Sequence, residues 1–226
     1  MNKYEVFQSE KETKDRIEEP MKAHEISTFR YTVKDFYDQP EGWKGELIDG
    51  IFYDMSSPTI VHQVISFLIA SQLRSFVQEN HEDCIVLPLP QDTQLNCDDY
   101  TIVEPDISVV CDKSKLRKHR VFGAPDFIVE ILSPSTASHD RFLKLLKYME
   151  AGVREYWIVD PATRTIMVYA KDVPIVPMTY TFDDEVPVSI WGGECKVGFA
   201  GIARELEMYA LLQHPLATCE TTSQML

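Results

Sequence analysis

Ile102-Val103-Glu104-Pro105-Asp106 opens the stretch that decides the fold, which runs on to Lys144-Leu145-Leu146-Lys147-Tyr148. Between its ends lie an apolar run from Ile107 to Cys111, a basic loop, and a second apolar run, Phe127-Ile128-Val129-Glu130-Ile131-Leu132. Short runs rich in β-branched residues read as buried strands. Pro105 has no N–H to give a ladder, so it belongs at a strand end or edge, where it delivers Asp106. Glu130 interrupts an otherwise continuous apolar strand. A lone carboxylate buried there is costly or takes up a proton, so something must compensate it. After the turn Ser133-Pro134-Ser135-Thr136, a helical stretch carries Lys144 and Lys147. Two strand-borne acids with a lysine soon after suggest a metal-dependent phosphodiesterase site.

Outward from this stretch, the upstream chain gives a hairpin and a long helix. Glu46-Leu47-Ile48 and Ile51-Phe52-Tyr53 flank Asp49-Gly50, a strong short hairpin signal. Pro58 and Thr59 start the clearest helix, with Val61, Val64, Ile65, Leu68, Ile69, Leu73, Phe76 and Val77 on one stripe. A short helix carries Val33, Phe36 and Tyr37, and short strands are expected at Ile85–Leu89 and Thr93–Leu95. Downstream, Glu155–Val159 and Thr165–Tyr169 read as strands, followed by weaker ones around Thr179–Phe182, Val186–Ile190 and Glu194–Phe199. A last helix is expected near Ile202–Leu212. Strands and helices alternate without repeats, which gives an α+β or α/β class with helices packed on a mixed central sheet. The domain boundaries drawn are a polar N-terminal extension over 1–30, helical around Glu10–Glu18, one domain over 31–212, and a flexible polar tail over 213–226.

The bulk properties narrow the function classes. A chain of 226 residues with 44% hydrophobic content builds one full core. No apolar run nears the length of a bilayer span and the N-terminus is charged rather than signal-like, so no membrane partner is expected. The five cysteines, at 84, 97, 111, 195 and 219, have no CxxC or zinc spacing, and read as free thiols in a cytoplasmic protein. A net charge of -14 argues against general coating of nucleic acid, which rests on Lys and Arg. It leaves room for an enzyme whose acids hold a divalent cation.

Each candidate group also has a plainer reading. Asp106 or Glu130 alone is more simply half of an internal ion pair; together they could share a divalent metal. Phe142, Leu145, Leu146 and Met149 form the core stripe of the lysine helix, while Asp140, Lys144, Lys147 and Tyr148 share another face. That face could look toward Glu130, and periodicity does not choose between the two lysines. His62, in the first turn of the long helix, is by itself a surface or capping residue, and Glu46 an exposed edge acid. The run Lys113-Ser114-Lys115-Leu116-Arg117-Lys118-His119-Arg120 could approach a phosphate backbone from the same sheet edge, or be a solvated connection.

Taken in order, Glu46-Leu47-Ile48-Asp49-Gly50, His62-Gln63, Glu104-Pro105-Asp106-Ile107, Val129-Glu130-Ile131-Leu132-Ser133-Pro134-Ser135-Thr136 and Gly152-Val153-Arg154-Glu155-Tyr156-Trp157-Ile158-Val159-Asp160 resemble the "putative restriction endonuclease" family of the PD-(D/E)XK nuclease superfamily. The resemblance spans roughly Tyr31 to Leu212. It implies a restriction-endonuclease-like core with the active site at one sheet edge. It also implies a Mg2+- or Mn2+-dependent endonuclease acting on nucleic acid, DNA before RNA. A homodimer is a separate expectation, because two-fold duplex cutting needs two sites. Asp106 matches the PD aspartate and Glu130 the (D/E)XK acid. The motif lysine belongs at 132, where this chain has Leu132; the family resembles the migrated variant, in which a helix lysine fills that space. Lys144 is then the match and Lys147 the reserve. Glu46 matches the upstream acid and His62 a family histidine near the metal or phosphate. The implied metal set is Asp106, Glu130, the Ile131 carbonyl and His62. The alternative is a catalytically silent module that binds nucleic acid or protein.

Overall fold

The computed structural model of the chain describes residues 30–80, 83–88, 90–133, 143–171 and 176–212. Most of the expected extension over 1–30, the tail over 213–226, and Asp140 and Phe142 of the lysine helix lie outside the described residues. The elements are α1 (Val33–Tyr37), β1 (Gly45–Ile48), β2 (Ile51–Asp54), α2 (Ile60–Glu79), β3 (Ile85–Leu87), β4 (Thr93–Gln94), β5 (Ile102–Val103), β6 (Ile107–Val110), β7 (Val121–Phe122), β8 (Phe127–Ile131), α3 (Leu145–Ala151), β9 (Glu155–Asp160), β10 (Thr165–Ala170), β11 (Met178–Thr181), β12 (Glu185–Pro187), β13 (Lys196–Gly198) and α4 (Phe199–Leu212).

A six-stranded sheet in the order β11-β10-β9-β8-β6-β3 is the backbone of the molecule; its β8–β9 pair is parallel and its other pairs antiparallel. A five-stranded sheet runs β2-β1-β5-β4-β7. The mixed α+β class expected from the alternating elements is what is found.

Strand parity sorts the side chains into layers. Phe127, Val129 and Ile131 of β8, with Trp157 and Val159 of β9, face α2 and α4, where Ile65, Ile69, Leu73, Phe199 and Ile202 meet them. Ile128 and Leu132, with Tyr156 and Ile158, face the other way, onto Ile48, Val103, Leu145 and Tyr148. Glu130 shares the parity of Ile128 and so points into this second layer, between the large sheet and the small one. A third cluster, Val33, Phe36, Leu47 and Ile102, closes the outer face of the small sheet.

The β1–β2 hairpin forms as expected, with Asp49 (φ 52°) and Gly50 (φ 80°) both left-handed at the turn. At Gly50 a Cβ would come within 2.6 Å of the Arg30 Cβ and 3.0 Å of the Tyr31 carbonyl oxygen, so the turn takes only glycine there. Farther on, β12 is followed by a 3-10 turn over Ser189–Trp191 instead of continuing as strand.

Four expectations are corrected. Cys84 and Cys111 form a disulfide with a Cα–Cα distance of 3.9 Å, so the cysteines are not all free thiols. The register is the cause: Ile85 faces Val110, and one step further Cys84 faces Cys111. Cys97 and Cys195 are free, and Cys219 lies outside the described residues. Leu146, placed in the core stripe, is 57% exposed, and Tyr148, placed on the polar face, is fully buried, because α3 turns its Leu145–Tyr148 side inward. Glu46 is no exposed edge acid: β1 is covered on both faces and its four residues are all buried. Finally, α2 has 20 residues with a mean hydropathy of 1.3, which by length and composition alone suffices to cross a bilayer. Its Ile65, Ile69, Leu73 and Val77 nonetheless pack on the sheet, as in a core helix.

Candidate active site

Register brings the two strand acids together. Ile107 faces Val129 in the antiparallel β6–β8 pair, so one residue beyond the ladder Asp106 faces Glu130. The Asp106 amide points at Glu130 Oε2 at 3.4 Å, and the Ile131 amide donates to Asp106 Oδ2 at 2.8 Å. Each carboxylate is thus fixed by the other strand's backbone. Pro105, without an N–H, ends the pairing and lets the chain cross from the small sheet (β5) to the large one (β6) directly before Asp106.

Glu46 arrives from the small sheet. Leu47 faces Ile102 and points outward, so its neighbour Glu46 points inward by parity, as Ile48 does. Its Oε1 accepts from the Glu104 amide at 2.7 Å. Lys144, at the start of α3, closes the group: its Nζ lies 2.9 Å from Glu46 Oε1 and 3.0 Å from Glu130 Oε1. One turn on, the Tyr148 hydroxyl donates to the same Glu130 oxygen at 2.6 Å. Glu46, Glu130 and Lys144 are at most 3% exposed and Tyr148 is fully buried. A lysine cation shared by two carboxylates answers the charge problem that Glu130 posed in the sequence. Burial and the neighbouring Glu130 charge hold the Tyr148 hydroxyl far above the ordinary tyrosine range, so it serves as a donor and keeps its proton.

His62 comes from α2. Thr59 caps the helix, its hydroxyl accepting from the His62 amide at 3.2 Å, and this sets the first turn. His62 Nε2 then sits 2.9 Å from Asp106 Oδ2. Facing a carboxylate oxygen, that nitrogen carries the proton and donates. The five predicted side chains (Glu46, His62, Asp106, Glu130 and Lys144) and Ile131 all line one cleft of about 690 Å³.

Lys147 goes elsewhere. It pairs with Asp49 at 2.7 Å and Glu150 at 3.4 Å, on the hairpin side of α3. The migrated-lysine reading therefore has Lys144 as its geometric candidate. The basic loop divides in two. Lys113 pairs with Asp83 and Lys115 donates to the Ala124 carbonyl, at the far end of β6 from Asp106. Arg120, by contrast, adjoins β7, whose register with β4 and β5 sets it on the Glu104 side, where it lies over the rings of Tyr37 and Phe122.

Two participants escaped the sequence reading. Tyr148 was visible as the residue four after Lys144, but nothing marked its hydroxyl as a partner of Glu130. Glu104 looked like a strand residue of the motif; burial and the charges of Asp92 and Glu46 push its carboxyl up to about 7. Among the described residues, no group of three or more His, Cys, Asp or Glu side chains is arranged as a metal cage. The oxygen donors of Asp106 and Glu130, one cross-strand step apart, with the adjacent Ile131 carbonyl, are the kind of partial set that Mg2+ takes while keeping several waters.

Residues 33–189 match the Uma2 family model, described as "Putative restriction endonuclease". A protein of Synechocystis sp. (strain ATCC 27184 / PCC 6803 / Kazusa), "Uncharacterized protein slr1290", is 28% identical over 138 residues, which cover 60% of this chain and 70% of that protein. The crystal structure of "a putative nuclease belonging to DUF820" from Anabaena variabilis ATCC 29413 superposes with a TM-score of 0.65 at 22% identity, covering 77% of this chain and 98% of that one. That likeness establishes a shared fold. With the family model spanning well over half of its length, the chain belongs to the Uma2 family of restriction-endonuclease-like proteins.

Proposed function

We propose that the protein is a Mg2+- or Mn2+-dependent endonuclease that hydrolyses phosphodiester bonds, with DNA as its substrate. The observation that carries this reading is the meeting of Asp106, Glu130 and Lys144 at one end of a cleft, each delivered by a different element. Asp106 and Glu130, with the Ile131 carbonyl, would hold the cation, and Glu46 would complete the shell through Lys144. A bound divalent cation supplies Lewis acidity toward a phosphoryl oxygen and acidifies a coordinated water.

The chain's own residues do the rest. Lys144, anchored by two carboxylates, is held without rotamer freedom beside the place where a phosphate oxygen would develop charge, and it positions the attacking water. Tyr148 fixes Glu130 Oε1 from behind, so that Glu130 keeps one orientation. His62 fixes Asp106 Oδ2 and stands at the cleft wall, where its ring can meet a phosphate.

Supercoiled plasmid incubated with Mg2+ or Mn2+ tests this directly. Wild-type protein nicks or linearises the DNA, chelator stops it, and Asp106→Asn does not cut. Cutting that survives both chelation and the substitution would sink the mechanism. The net charge of -14 favours, as second reading, a catalytically silent module that binds nucleic acid or protein. Tight DNA binding without cutting under any divalent metal would establish it.

A further inference from the structure

The cleft is lined by two unlike sets of residues. One set holds the acids and Lys144. The other includes the apolar side chains of Phe67, Met55, Pro58, Pro88 and Pro90. Phe67 is 66% exposed, a large aromatic ring left out of the core on a helix whose other apolar side is well buried. Helical spacing explains the placement: His62 and Ser66, like Gln63 and Phe67, stand four residues apart, so one face of α2 turns to the cleft. Phe67 lies five residues, about 7.5 Å of helix rise, from the histidine that touches Asp106.

Charge bears on the occupant. Of the cleft-lining side chains, Glu46, Asp54, Asp106 and Glu130 are acidic and Lys144 is the basic one, already shared by two of those acids. A duplex needs rows of Lys and Arg along both backbones. This cleft offers instead an exposed ring and prolines in the same lining as the acids. Aromatic stacking holds single-stranded nucleotides whatever their sequence, because every base has a π-face.

Resting on the nuclease reading above, we infer that the cleft takes an unstacked nucleotide, its base against Phe67 and its phosphate toward Asp106 and Glu130. Phe67 is then a specificity-determining residue that selects single-stranded or locally opened nucleic acid over intact duplex. A cleft of about 690 Å³ holds a nucleotide or two and no stretch of duplex.

The test uses the full chain with Ca2+ in place of Mg2+ and an oligonucleotide carrying 2-aminopurine, presented single-stranded or annealed to its complement. Binding of the single strand quenches the fluorophore, and its affinity exceeds that of the duplex at least about tenfold. Phe67→Ala lowers single-strand affinity about tenfold or more and removes the quenching, whereas Phe67→Trp retains both. Exposure of Phe67 means that neither variant costs core packing. Equal affinity for duplex, or an unchanged Phe67→Ala, overturns the inference. Cleavage of the same single-stranded oligonucleotide under Mg2+ or Mn2+, run in parallel, separates the two claims. Cutting without a Phe67-dependent single-strand preference leaves the nuclease standing and removes the base pocket. Phe67-dependent capture without cutting under Mg2+ or Mn2+ does the reverse.

Discussion

Replacing Lys144 with methionine, close in length but uncharged, attacks the arrangement where it is most constrained. In the wild type one ammonium serves Glu46 at 2.9 Å and Glu130 at 3.0 Å, with all three side chains at most 4% exposed. At an effective dielectric constant of 20, each such pair is worth about 5 kcal/mol of gross attraction, most of it offset by desolvation. Removing only the cation leaves two buried carboxylates facing each other, and truncations of this kind cost about 3–5 kcal/mol. For a chain of this size that lowers the melting temperature by about 10 °C. The loss depends on pH in a defined sense. A folded state that can relieve two unpaired acids by binding a proton binds more protons than the unfolded chain, so the deficit shrinks as pH falls. Adding Glu130→Gln to Lys144→Met should recover part of the loss, because the second change removes the stranded charge; a double-mutant cycle reads the coupling. Scanning calorimetry at pH 5 and 7.5 on the four proteins gives the answer. A Lys144→Met protein that melts within about 2 °C of wild type at pH 7.5, with no gain on acidification, would refute the reasoning.

The other expectations are smaller and separable. Tyr148→Phe leaves the ring buried but removes the donor to Glu130 Oε1; we expect about 1–3 kcal/mol of destabilisation by urea unfolding and slower plasmid nicking. With a folded carboxyl at about 7 against an ordinary 4.5, Glu104 contributes stability that is fully present below pH 4.5 and fades as pH rises through 7. Glu104→Gln should therefore flatten the stability profile across that window, as read by urea midpoints between pH 4.5 and 8. Reducing the Cys84–Cys111 bridge, which closes a separation of 27 residues, or replacing both with serine, should cost about 3.5 kcal/mol on the chain-entropy account. Millimolar Mg2+ should raise the melting temperature of wild-type protein and leave Asp106→Asn unmoved, a readout of cation binding that does not need turnover.

The sequence gives different parts of this structure with different clarity, and the reasons are physical. Local signals survived translation into three dimensions. Asp49-Gly50 made its hairpin because two left-handed residues match strand twist, and Thr59 began α2 because its hydroxyl takes an amide that the helix leaves unpaired. Site residues were legible where a charge stood in apolar surroundings, as with Glu130, whose burial forces a partner. What periodicity could not see is what depends on register between distant strands. Nothing in the spacing of Cys84 and Cys111 shows that β3 and β6 lie side by side. Nothing around Glu46 shows that a second sheet covers β1. The helix face failed for a related reason. With Leu146 exposed and Tyr148 buried, α3 follows the demand of Glu130 for donors over simple hydrophobicity.

That demand also ties folding to function. Glu130 sits in the middle of the apolar layer because its strand is central, between β6 and β9, and a central strand is the most rigid platform available for the carboxylate proposed to hold the cation. Rigidity there requires burial, burial requires a cation, and the nearest backbone able to supply one is the chain entering α3. In a sheet with lysine at residue 132, the cation would come from β8 itself. Leu132 instead packs with Ile128, Tyr148 and Val153, so the strand keeps its apolar face and the helix carries the charge. Moving the amine to α3 makes its position depend on how α3 docks, and α3 docks through Leu145 and Tyr148, which follow Lys144 by one and four residues and are buried in the layer between the two sheets. Returning a lysine to the strand, as Leu132→Lys with Lys144→Leu, therefore tests whether position or mere presence of the amine matters. If the cluster tolerates either origin, stability and plasmid nicking both return. If the helix has become the better support, the swapped protein stays short of wild type in both.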